Sequence, residues 1–227
     1  VGTLAAARYN PNGKLDLTFG QGGTLLLSQF GASFQVRDVA PEHDGKLVIF
    51  AAYGPYFSSD FALVRLLPNG TPDPTFDNDG LVTSDFGGVE RASSVILLPD
   101  GRIILGGHRE QGTTSDFALV RYLPDGTIDT TFGNAGLALA DSGAAEVSGE
   151  LIRLPNGKLL LAGYTNDTGA HDFMLARFQP DGVLDTTFGT AGFLRTGFPA
   201  GGADECRAVS VAGPDLVLAA GLATAQP

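Results

Sequence analysis

Carboxylates are the side chains of this 227-residue chain best suited to chemistry. Glu90, Glu146, Glu150 and Glu205 lie with Arg37, Asp38, Arg91 and Arg207 in one recurring strand, and they differ between the copies of a repeated pattern. Two carboxylates at a defined separation can divide acid and base roles in hydrolysis, and a bound metal can activate water. The same charges can also bind a ligand, or simply pair across a water-filled channel. They stand as candidate binding residues, with no catalytic residue and no metal ligand assigned. A second set is strictly regular: Arg8, Arg65, Arg121 and Arg177 each precede Asp16, Asp73, Asp129 and Asp185 by eight residues. One pair per unit reads as a salt bridge tying a strand to a turn, costly to break if buried. The Asp series also suggests calcium, since it follows NG or DG, but it lacks the alternating ligands and closing Glu of an EF-hand loop. Asp followed by Thr and Phe reads more simply as a side-chain-capped turn whose Phe plugs a core.

Other reactive groups point to less. His43, His108 and His171 fall in a hairpin turn, a strand end and a connecting loop, and no two share zinc-ligand spacing. Cys206 has no base beside it and reads as a buried thiol; alone, it forms no internal disulfide. The GQGG at 20–23 is a turn of the repeat, without the helix and Lys-Ser/Thr pair of a phosphate loop.

The elements that position these residues follow from periodicity. DFALVRLLPNGTPDPTF from Asp60 returns as DFALVRYLPDGTIDTTFG from Asp116 and as DFMLARFQPDGVLDTTFG from Asp172, each 56 residues on. LAAARYNPNGKLDLTFG from Leu4 precedes its counterpart by 57. Such a period marks units that bury their faces against one another. Within a unit the expected strands are Phe61 to Leu66, LVTSDF after Gly80, Ala92 to Leu98, and Arg102 to Leu105 before Gly106 and Gly107. HDGK, PDGR and PNGK mark tight hairpins between the last two. Strands such as KLVIF and KLLLA are apolar on both faces, as strands sandwiched between sheets should be.

The fold class is therefore all-β: a β-propeller of four four-stranded repeats (3–59, 60–115, 116–171, 172–227), expected to form one domain over 1–227. The chain starts in mid-unit and ends with the hairpin its first unit lacks. Ring closure would pair residues from about Cys206 to Gly221 with strands from about Leu4 to Phe30, removing exposed edges.

The run DFALVRYLPDGTIDTTFGNAG, followed by PNGKLLLAGY, resembles the delta-60 repeat, a bacterial propeller-blade family, across all four units. The resemblance implies a secreted or surface location and leaves the biochemical role undefined. Departures are local: Asp77 replaces the Gly after Phe76, Thr3 replaces an Asp, and AGPDL replaces PNGK in the last unit.

Composition narrows the partners. A net charge of -11 argues against nucleic acid, which needs clustered Lys and Arg, and no apolar run is long enough to span a membrane. No leader precedes Val1, so a signal peptide is expected to be removed or to lie outside this sequence. The expected function is a non-catalytic interaction or scaffold propeller that binds a protein or surface ligand through rim loops. A homodimer and a longer parent chain both stay open. The alternatives are a carbohydrate-binding propeller, disfavoured by zero Trp and five Tyr, and a hydrolase using the channel carboxylates.

Overall fold

The computed structural model describes residues 2–31, 33–166, 171–198, 201–213 and 216–225. The AGPDL hairpin and the loop YTNDTGAH fall partly outside these residues. Strands in chain order are β1 (Leu4–Ala7), β2 (Thr24–Leu27), β3 (Phe34–Pro41), β4 (Leu47–Tyr53), β5 (Asp60–Leu66), β6 (Leu81–Ser84), β7 (Val89–Leu97) and β8 (Ile103–Gln111). They continue as β9 (Thr114–Tyr122), β10 (Leu137–Ala140), β11 (Glu146–Arg153), β12 (Leu159–Asn166), β13 (His171–Phe178), β14 (Phe193–Thr196), β15 (Gly201–Gly213) and β16 (Leu216–Ala225). The helical content of the described residues is a three-residue 3-10 turn, Ser28–Phe30.

Three antiparallel sheets are complete: β3-β4-β5-β6, β7-β8-β9-β10 and β11-β12-β13-β14. β1-β2 and β15-β16 are two-stranded. The expectation of four whole blades is met by three blades and two halves. Each sequence unit supplies the outer half of one sheet and the inner half of the next. Among the described residues no ladder joins β16 to β1, so the expected closure pairing is not made here.

The sheets stack face to face because their strands alternate between two apolar faces. Val48, Phe50 and Leu63 pack with Ala92, Val95, Ile103 and Leu105 of the next sheet. Ile49, Ala51, Ala62 and Val64 turn the other way, onto Leu4 and Leu27. The pattern repeats at the two later seams, the last closing over Cys206 and Val209. First strands touch in series, β3 with β7, β7 with β11 and β11 with β15, so the sheets fan out from that shared edge.

The fourth strand of the unit departs from the sequence reading. β8 runs through Gly106 and Gly107 to Gln111 rather than stopping at Leu105. A Cβ on Gly107 would sit 2.3 Å from the Arg91 carbonyl and 2.7 Å from the Phe61 ring, and one on Gly106 would sit 2.8 Å from Leu151 of the next sheet. Here glycine permits close approach of sheets and does not end a strand.

Candidate functional site

At one rim each unit repeats a single network. Arg65 Nε donates to Asp73 Oδ2 at 2.9 Å, and its Nη2 reaches the Thr75 hydroxyl at 3.1 Å. Its guanidinium lies 4.4 Å above the Phe76 ring. Asp73 Oδ1 accepts from the Thr75 backbone and hydroxyl. Burial pushes the Asp73 carboxyl up, but the Thr75 hydrogen bonds and the charges of Arg65 and Lys46 outweigh it and hold the pKa at about 2. Arg8–Asp16, Arg121–Asp129 and Arg177–Asp185 repeat the pairing. Hydrogen bonds to Arg and Thr occupy both oxygens of each Asp in the series, which leaves a calcium ion little to bind.

This network also joins the units. Arg8, Arg65 and Arg121 donate through Nη1 to the carbonyls of Pro68, Pro124 and Pro180 in the following unit. Phe19, Phe76 and Phe132 are buried beneath the following unit's Gly70, Gly126 and Gly182, where a Cβ would fall within about 3 Å of the ring. A groove of about 430 Å³ lies at this rim between turns, lined by Glu42, His43, Lys46, Arg65, Leu98 and Pro124 among others.

The candidate binding residues in the first strands separate into four groups. Arg37 and Arg207 sit at β-bulges, where the ladder slips between Val36 and Asp38 and between Cys206 and Ala208. Asp38 and Glu150 bind across seams, their carboxylates accepting from the backbone N–H of Val95 and Val209 at 3.0 and 2.8 Å. Arg91 pairs with Glu110 at 2.8 Å, and Glu205 pairs with Arg207 and with His171.

Glu90 and Glu146 make the fourth group. Each heads the first strand of a sheet at the other rim, fully buried, within a triad of carboxylates: Asp60, Asp85 and Glu90, and Asp116, Asp141 and Glu146. In each triad the ligand oxygens lie within 4.8 Å of one another. The first Asp lies at or near the start of the third strand of one sheet, the second follows its fourth strand, and the Glu lies at or near the start of the first strand of the next sheet, so each triad straddles a seam. Neither oxygen of Glu90 meets a donor in hydrogen-bonding geometry, and nor does Oε2 of Glu146. Oε1 of Glu146 accepts from the Ser142 hydroxyl and backbone. Asp85 and Asp141 each use Oδ1 to accept from the amide of Gly87 or Gly143 at 2.7 Å. Burial raises the Glu90 pKa to about 7, with the charge of Asp60 adding to it. Burial likewise takes Glu146 to about 7, opposed by the Ser142 hydrogen bonds. Arg109 reaches toward both triads, donating to the Phe86 carbonyl and lying 3.8 Å from Asp116.

The four aspartates of the triads were absent from the sequence-derived candidates. Two signals could have found them: Asp60 and Asp116 open the repeated motif, and an Asp stands five residues before both Glu90 and Glu146.

The histidines do not assemble. His43 lies in the β3–β4 turn, whereas His108 is inside β8 and His171 begins β13 rather than lying in a loop. His108 Nδ1 accepts from the Ser148 amide at 3.2 Å across a seam, placing the ring proton on Nε2. Burial lowers its pKa to about 4. Cys206 is free and buried, and burial pushes its thiol up.

Antiparallel four-stranded sheets fanned from a shared inner edge and packed face to face define a protein of the β-propeller class. The family model described as "Domain of unknown function (DUF5122) beta-propeller" matches residues 1–19, 43–76, 98–132 and 154–188, and the chain belongs to that family. The matched segments carry the Arg–Asp–Thr–Phe network; Asp85, Glu90, Asp141 and Glu146 fall between them. Among solved structures the chain is similar to the endo-arabinase from Bacteroides thetaiotaomicron VPI-5482, at 16% identity and a TM-score of 0.45. That match covers 72% of this chain and 68% of the other. No curated protein matches the sequence.

Proposed function

We propose that this chain is a non-catalytic interaction or scaffold propeller whose partner, a protein, docks on the rim that carries the β4–β5 loop. The observation that supports this best is an exposed aromatic pair. Phe57 is 84% and Tyr56 55% exposed, their rings edge to face at 5.1 Å. Arg91 clamps the loop, stacking 3.9 Å from the Tyr56 ring centre and donating to its carbonyl at 2.6 Å. Aromatic residues and Arg are enriched at protein interfaces, and a loop already held in place loses little entropy on binding. The matching β8–β9 turn, residues 111–114, holds no aromatic residue, so the feature belongs to one blade and not to the repeat.

The proposal includes completion of the ring, with β15-β16 and β1-β2 as halves of one blade. Three features of the two ends support it. Phe188, last of its series, is only partly buried, while Gly13 has open space above it. The carbonyl of Pro11 holds the place in the first unit that Pro68, Pro124 and Pro180 hold for the arginine of the unit before. Leu216, Leu218 and Leu222 of β16 and Val36 and Val39 of β3 are exposed, whereas Val95 and Leu151 at the β3 positions of later sheets are buried.

A hydrolytic reading draws on Glu90 and Glu146, whose raised pKa suits a general acid near neutral pH. One experiment separates the readings. The immobilised chain and its Tyr56→Ala/Phe57→Ala variant are exposed to extracts of the source organism, with a glycan array run in parallel. The expected result is a protein retained by the wild type and lost by the variant. Aromatic-dependent glycan binding would favour the carbohydrate alternative, and glycan cleavage abolished by Glu90→Gln or Glu146→Gln would favour hydrolysis. Retention indifferent to both aromatic rings would overturn the proposed docking surface.

A further inference from the structure

We propose that Asp60, Asp85 and Glu90, and separately Asp116, Asp141 and Glu146, form two equivalent sites for a hard divalent cation of the calcium class, each bridging the seam between adjacent blades. Three carboxylates from three chain segments converge at each seam, with their oxygens within 4.8 Å of one another. Calcium takes six to eight oxygens at about 2.3–2.6 Å, and three carboxylates plus water or carbonyl oxygen fit that demand. The pointer beyond acidity itself is Glu90. It is fully buried, neither oxygen meets a donor in hydrogen-bonding geometry although the Phe86 backbone lies near enough to lower its pKa, and its carboxylate lies within 4.8 Å of those of Asp60 and Asp85. A buried carboxylate without donors is costly unless a cation or a proton meets it.

The chain contains its own comparison. At the third seam the equivalent positions are Asp172, Gly197 and Asp204, so one carboxylate is missing. There Arg195 donates to Asp172 Oδ2 through Nε at 2.6 Å, with Nη2 at 2.5 Å. At Gly197 there is no side chain to supply the second carboxylate, and the space a Cβ would take lies 2.7 Å from Asp172 Oδ1. At the first seam the Glu is replaced by Phe34, which packs on Tyr53. One seam thus supplies an internal guanidinium and another removes the acid. The two seams with a full triad share Arg109, which lies 3.8 Å from Asp116 and lowers the pKa of Glu90 through its charge. A cation at each triad would neutralise the surplus charge and tie the third strand of one sheet to the first strand of the next. These triads are unrelated to the Asp16, Asp73, Asp129 and Asp185 series.

The test uses the whole chain, stripped with EDTA and titrated with calcium chloride by calorimetry, with terbium luminescence as a second readout. The wild type should bind two equivalents, Glu90→Gln one, Glu146→Gln one, and the double variant none. Saturating calcium at a hundredfold excess over Kd should raise Tm by about 5–10 °C per site. In EDTA the Gln variants should melt no lower than the wild type, because each removes a buried charge. If either fails to fold, Asp85→Asn and Asp141→Asn, changed at exposed positions, give the same reading. No binding at millimolar calcium, or two equivalents retained by the double variant, would overturn the proposal.

Discussion

At the scale of single residues, the same ion pair has different weight at different places in the stack. Arg121 and Asp129 are each 5% exposed, and Arg121 also caps the Pro180 carbonyl. Arg121→Ala strands a buried carboxylate and should cost about 3–5 kcal/mol. In the outermost unit the Arg8 and Asp16 side chains are 30% and 22% exposed, and solvent screening should make Arg8→Ala cost clearly less. Urea denaturation of the two variants side by side checks the ratio; equal losses would mean that burial does not set the value of the pair. The pairing was legible in the sequence because an eight-residue offset recurs in every unit. Its reach into the next unit was not, since a carbonyl 59 residues away becomes a neighbour only when sheets stack. The triads escaped partly for the same reason: Glu90 and Asp60 stand at opposite ends of a crossover between blades, and the one local signal, an Asp five residues before both Glu90 and Glu146, joins only two of the three carboxylates.

At the scale of the element, strand identity and order were legible and strand ends were not. Apolar runs on both faces predicted sandwiched strands, and those of β4, β8 and β12 are buried on both faces, whereas LVLAA falls in β16, whose Leu216 and Leu218 are exposed. The glycines of β8 misled because a missing side chain has two meanings, a chain break or a close neighbour, and only packing separates them. The bulges at Arg37 and Arg207 left no mark in the pattern of apolar residues. The turn after Phe76 carries a deviation that can be measured. Where other units have Gly, Asp77 adopts φ 46°, and its amide donates to the Asp125 carbonyl of the next unit at 2.9 Å. A left-handed non-glycine residue costs about 1–2 kcal/mol, partly offset by the chain entropy that glycine would lose. Asp77→Gly should therefore raise stability by about 0.5–1 kcal/mol, read as a higher urea midpoint. A lower midpoint would show that the carboxylate contributes more than the backbone strain removes.

At the scale of the molecule, stability is a sum over seams, as in other stacked repeats. The end sheets each bury one face, and their free edges, β1 and β16, carry the unpaired backbone that closure would satisfy. If those edges meet within one chain, light scattering should give the 23.5 kDa of a monomer, and amides of β1 and β16 should exchange slowly. Slow exchange at twice that mass would place the junction between two copies. Rapid exchange of both strands at the monomer mass would leave the stack open.

The offset between repeat and sheet has a consequence for how such chains change length. A genetic unit that begins in mid-blade always hands its neighbour the missing half, so duplicating or excising 56 residues by unequal recombination leaves the new junction with a complete set of partners. Length can then drift by whole units without any single intermediate having to invent new packing.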